Sequence, residues 1–118
     1  MDKLQALHSF LGGFGVPVYP TTMVPKEATY PRLTYDGSFS FWADVANLNI
    51  SLWDKSESWA SITKKVMEIG QAVGDGGTTV PYDGGLLWVK QGNIFAQQMT
   101  DPDPFIRRYI ISLSIEYL

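Results

Sequence analysis

The chain has 118 residues, 45% of them hydrophobic and 18% charged, with nine basic residues against twelve acidic ones for a net charge of −3. That length suits one domain with its own core, and that composition excludes a disordered chain. Cysteine is absent, which excludes thiol catalysis, disulfides and thiolate metal sites. The acidic balance argues against duplex DNA or an anionic membrane as a partner for the surface as a whole.

The opening "MDKLQALHSFLGGFG" lacks the basic region and long apolar run of a secretion signal. No segment reaches the roughly 18 apolar residues of a spanning helix. The expectation is a soluble protein made in a reducing cytoplasm, with no membrane partner. Leu4, Leu7, Phe10, Leu11 and Phe14 recur at helical spacing behind Asp2, an N-cap or first-turn acid. Gly12 and Gly13 end that helix. "VPVYPTTMVPKEATYP", residues 16–31, carries four prolines, so it reads as an ordered extended arm. "PRLTYDG" supplies a short strand, and "SFSFWAD" a turn rich in rings.

"VANLNISLW" alternates cleanly: Ala46, Leu48, Ile50 and Leu52 on one side, Asn47, Asn49 and Ser51 on the other. This is a half-buried strand whose register is well specified, since a slip of one residue would bury the asparagines. Asp54 and Glu57 have the spacing of a capping box. Trp59, Ile62, Val66, Ile69 and Val73 then form one helical stripe, with Lys64, Lys65, Glu68 and Gln71 away from it. Gly74 ends the helix, and "GDGGTTVPYDGG" reads as a connector. "LLWVKQGNIFAQQM" reads as two strands joined by a tight turn at Gly92–Asn93. After "TDPDP", the segment "FIRRYIISLSIEYL" is a long strand with Tyr109, Ile111, Leu113, Ile115 and Tyr117 on one face. The order helix, strand, strand, helix, strand, strand, strand indicates a single α+β domain over 1–118. Its antiparallel or mixed sheet is expected to carry both helices on one face.

No catalytic set emerges. His8 is the sole histidine and has no acid at i+3 or i+4. Ser56, Ser58 and Ser61 therefore lack a histidine partner for a triad. "GDGG" follows a helix, not a strand, and no Lys-Ser/Thr comes after it, so a phosphate cradle is disfavoured. No loop has the alternating oxygen pattern of a calcium site. The expectation is no enzyme activity, no metal and no cofactor. Arg107 and Arg108 fall on opposite faces of the last strand, where salt bridges within or between subunits are favoured over nucleic-acid contact. Trp59 and Trp88 sit on expected core faces. Trp53 falls on the polar face of its strand, and Phe39, Phe41 and Trp42 lie in a turn. These four rings suit a subunit or partner interface, or else fold over the sheet edge.

Three stretches together carry a resemblance: "VPVYPTTMVPKEATYPRLTY", "ISLWDKSESWASITKKVMEIGQAVGDGG" and "DGGLLWVKQGNIFAQQMTDPDPFIRRYIISLSIEYL". From about Val16 onward the chain resembles the small tail-completion, or tail terminator, proteins of long-tailed bacteriophages, often called minor capsid proteins. The resemblance rests on a run of turns and aromatic residues, not on a catalytic motif. It implies a virion protein, assembled in the bacterial host cytoplasm, that forms a ring, commonly six-fold. Such a ring sits at the head-proximal end of the tail tube, stops tube growth and meets the head connector proteins. A sibling adaptor or stopper role in the same connector would use the same kinds of surface. From a different class, a small-ligand domain or enzyme would need a concave site with convergent polar groups. In a ring, DNA is passing cargo and the lumen must not grip it. Asp36, Asp44, Asp75, Asp83, Asp101 and Asp103 are the acids expected to line or rim that lumen, or else only to shape turns. Phe39, Phe41, Trp42, Trp53, Arg107 and Arg108 are the expected interface residues.

Overall fold

The computed structural model describes residues 2–36 and 45–118. Phe39, Phe41, Trp42 and Asp44 lie outside the described residues. Helix α1 spans Lys3–Gly12. It opens on a capping box: Asp2 Oδ1 accepts the Gln5 amide at 2.8 Å, and Gln5 Oε1 accepts the Asp2 amide at 3.0 Å. Two orphan donors of the first turn are thereby satisfied. The helix buries Ala6, Leu7 and Leu11.

The arm then enters the sheet. Strand β1 is Val18–Pro20 and runs parallel to β2, Arg32–Tyr35. Strand β3 covers Val45–Lys55, α2 covers Ala60–Val73, and β4, β5 and β6 cover Thr78–Tyr82, Gly85–Met99 and Ile106–Tyr117. The six strands lie in the order β1-β2-β3-β6-β5-β4, and every pairing except the first is antiparallel.

At the centre, β3 and β6 pair over eleven positions, from Val45↔Glu116 to Lys55↔Ile106. Leu48 faces Leu113, Ile50 faces Ile111 and Leu52 faces Tyr109, all buried. The α2 stripe of Ile62, Val66, Ile69 and Val73 covers this row, packing over β3, β6 and β5. Helix α1 joins the same core cluster and reaches the two edge strands, β1 and β4. Both helices therefore share one face, as the α+β pattern requires. The other face carries Asn47, Asn49, Ser51, Trp53, Ser112 and Ser114.

Four local expectations are corrected. The arm contributes an additional strand, because Pro17 and Pro20 hold it extended beside β2 and the Pro17 carbonyl accepts the Leu33 amide at 2.8 Å. The connector after α2 supplies β4, which turns back at Asp83–Gly84 onto the start of β5. Residues 86–99 form no hairpin: β5 runs on through Gly92–Asn93, with its register to β6 shifting between Gln91 and Ala96. Finally, Asp54 and Glu57 do not cap α2. Asp54 is the buried penultimate residue of β3 and accepts the Lys55 amide at 2.8 Å. The entry to α2 instead uses Ser56 and Ser58, whose hydroxyls accept the amides of Ser58 and Ala60.

Ile50 and Ile62 are 0% and 2% exposed on the two surfaces that meet in the core. Replacing either with alanine removes buried methylenes and leaves a cavity. Each substitution is expected to lower unfolding free energy by about 2–5 kcal/mol in urea titrations.

Candidate functional site

The outer face of the sheet concentrates its larger side chains at the end where β3 finishes. Arg32 of β2 pairs in register with Trp53 of β3, which pairs with Arg108 of β6. Alternation puts all three on the face away from the helices. The Arg108 guanidinium lies 4.5 Å from the centre of the Trp53 ring, and its Nε and Nη2 donate to Ser51 Oγ at 3.3 and 3.1 Å. Trp53 Nε1 donates to Thr34 Oγ1 at 3.0 Å, and Thr34 is buried beneath it. Arg32 lies 4.3 Å over Tyr30 and donates to the Tyr30 hydroxyl and the Ala28 carbonyl. Stacking on rings fixes each guanidinium plane.

Arg107 projects to the helix face. Its Nη2 donates to the Glu57 carbonyl at 2.9 Å and its guanidinium sits 5.3 Å from the Trp59 ring, which meets Tyr109 edge-on. Within the described chain, the hydrogen-bond acceptors of both adjacent arginines are neutral oxygens. Trp88, expected on the core face, lies opposite Glu116 on the outer one. It donates Nε1 to the Gly76 carbonyl at 2.9 Å and stacks with Lys90 at 4.3 Å. The apolar run "LLWV" has no internal phase, so only pairing with β6 decides that Leu87 and Val89 point inward.

The acids divide between the two ends of the sheet. Asp101 and Asp103 precede β6 at the Lys55–Ile106 end, while Asp36 and Asp83 lie toward the Val45–Glu116 end. Asp75 follows α2. Asp101 and Asp103 shape their own loop, each Oδ1 accepting a backbone amide two residues on, from Asp103 and Phe105, at 2.9 Å. No group of three or more metal-ligating side chains occurs among the described residues, and none of the described helices is long and apolar enough to cross a membrane.

An open cleft of about 550 Å³ lies between the start of α1 and the β4–β5 turn, lined by Asp2, Lys3, Leu4, Tyr82, Asp83 and Gly84. Lys3 Nζ stands 3.9 Å from the centre of the Tyr117 ring there. Farther along α1, the exposed His8 has its Nδ1 2.9 Å from the Tyr35 hydroxyl and its ring edge-on to the Tyr35 ring. Burial pushes the Tyr35 phenol up, and burial followed by the neighbouring Tyr82 does the same to Tyr117.

Sequence reasoning missed the open side of β5. Strand β4 covers only Gly85–Val89, so Lys90–Met99 has no strand on that side among the described residues. No family model matches the chain, and a search of curated proteins finds no match.

Two outcomes are expected. Trp53→Phe leaves the buried Thr34 hydroxyl without its donor and should cost about 1–3 kcal/mol in urea unfolding, partly recovered by adding Thr34→Val. A phenol whose folded pKa exceeds the unfolded value of 10.0 contributes stability that is present below that value and lost as pH rises through the folded one. The denaturation midpoint of Tyr35→Phe should therefore fall less than that of the unsubstituted protein between neutral pH and about pH 10.5.

Proposed function

We propose that the protein is a structural virion protein that caps the head-proximal end of a phage tail tube as a homo-oligomeric ring, commonly six-fold in the family it resembles. In this role it terminates tube growth and forms the tail side of the head–tail joint. The observation that carries the reading is that, among the described residues, the sheet has two open and unlike edges. On one side lies β1, three residues long with a proline; on the other lie β4 and the uncovered Lys90–Met99 stretch of β5. A closed ring needs one patch to bind a different patch on the next subunit. Unlike edges supply such a pair, whereas a single repeated edge would favour a two-fold dimer or indiscriminate pairing. Prolines at Pro20 and Pro81 blunt the outermost strands against random strand addition. DNA is cargo in this scheme. Asp36 and Asp83, at the end away from Asp101 and Asp103, are assigned to the rim of the passage. The rings of Phe39, Phe41 and Trp42 are assigned to the contact with a neighbour or with the tube.

The test mixes the purified protein with uncapped tail tubes and images them by negative stain. Rings at one end of tubes that no longer elongate are the expected result. Phe39→Ser/Phe41→Ser/Trp42→Ser should leave a folded chain, by circular dichroism, that no longer caps. Tubes that keep growing in the presence of the unsubstituted protein would overturn the tail-terminator assignment. Binding to isolated connectors in place of tubes would move it to the adaptor role.

A further inference from the structure

We propose that the Arg32–Trp53–Arg108 row on the outer sheet face receives the Asp101–Asp103 loop of a second copy of this chain. The proposal deepens the ring reading and rests on it in one respect, that the subunit self-associates through unlike patches.

The row is prepared for carboxylates. Two guanidiniums stand on strands flanking β3, about 10 Å apart at the backbone by two interstrand spacings, and each is held flat by a ring. Their acceptors are a carbonyl, a phenol and a serine hydroxyl. Each guanidinium has five N–H donors, so each keeps donors that these neutral acceptors do not use. The contrast on the same face is Lys90, whose charge is met by Glu116 at 3.0 Å. At the other end of the face, the positive charge already has its carboxylate within the chain. In the Arg32–Trp53–Arg108 row it has none among the described residues.

The chain carries a matching acid pair. Asp101 and Asp103 alternate with Pro102 and Pro104, and each spends one oxygen on a backbone amide. The second oxygen of each carboxylate remains to accept an arginine N–H. A loop fixed by prolines and turn bonds loses little entropy on docking. In one chain this loop and these arginines form no ion pair, although both lie toward the Lys55–Ile106 end, so the complement is intermolecular. Nucleic acid fits less well. The face of Trp53 that a base would stack on is occupied by Arg108, and the chain as a whole is acidic. The contact joins two different patches and so propagates from subunit to subunit.

The experiment measures self-association of the full chain by sedimentation velocity over a concentration series. Three variants are compared: Arg32→Gln/Arg108→Gln, Asp101→Asn/Asp103→Asn, and the combination. Asparagine keeps the turn acceptor and lies in an exposed loop, so the second variant remains informative if the first does not fold. Each pair of substitutions is expected to weaken association about 10–100-fold. The combination should fall within about twofold of the weaker pair, because breaking an already absent contact costs nothing further. A wild-type chain that stays monomeric, a pair of substitutions without effect, or additive losses would each overturn the proposal. So would single-stranded oligonucleotide binding that disappears in the arginine variant while association persists. Tube capping is scored separately. Capping that survives both variants removes the loop contact and leaves the ring, while coupled association without capping leaves the contact and removes the tail-terminator reading.

Discussion

The pairing of β3 with β6 phases everything on both faces of the sheet. On the face under the helices, Ala46, Leu48, Ile50 and Leu52 lie opposite Ile115, Leu113, Ile111 and Tyr109. A slip of a single residue on either strand would turn Asn47, Asn49, Ser112 or Ser114 toward the helices. Each polar group buried that way without a partner costs about 1–3 kcal/mol. The same slip would carry Leu48, Ile50, Leu52, Ile111, Leu113 and Ile115 into water. The register is consequently held from both sides, by what it buries and by what it keeps wet, and α2 can rest on it as a fixed floor.

Adjacent residues on such a strand have opposite fates, and Arg107 and Arg108 show how far that goes. Both stack on tryptophans and both bond to neutral oxygens, yet Arg107 stitches the entry of α2 to the sheet while Arg108 stiffens the open face. Arg107 ties the Glu57 carbonyl just before a helix whose N-cap position, Trp59, offers no side-chain acceptor. Its role is accounted for within the fold. Arg108 has no helix to hold. It and Trp53 form a rigid, cationic plate on a surface that no described element covers, which is why the interaction argument falls on Arg108 and not on its neighbour.

How much of this was legible in the chain follows from where the signal is local. The period-two rows of β3 and β6 and the stripe of α2 are each contained in one segment, so the segments declare their own faces. The Asp2–Gln5 box closes within four residues, so the chain itself announces Asp2 as a capping acid. Asp54 and Glu57 have box spacing too, but β3 runs on to Lys55 to complete its pairing with Ile106, and that long-range ladder overrides the local cap. The outer-face row of Arg32, Trp53 and Arg108 joins three strands distant in sequence. Trp53 and Arg108 each stand out within their own segment, while Arg32 does not, because a lone arginine before "LTY" has no pattern until β2 is laid beside β3.

The Gly92–Asn93 pair is the clearest case of a local signal with two outcomes. Turn residues of this kind report that the backbone needs unusual dihedrals, which serves a reversal and a bulge equally well. Here four residues of β5, 92–95, stand against the single Ser112 of β6, and the positive φ of 54° falls on Ile94, a β-branched residue that rarely adopts it. Gly92 is required by proximity, since a Cβ there would lie 2.9 Å from that of Ser112. A hairpin would have folded Ala96–Met99 back beside Leu86–Gln91, leaving Arg108–Ile111 of β6 without a neighbour on that side. By bulging instead, β5 keeps both halves on β6, and Phe95 packs against Gly70 of α2, where an added Cβ would come within 3.2 Å of its ring. The helix lacks a side chain at that point and the strand supplies one, so the departure from regular pairing is held in place by the same face that α2 covers.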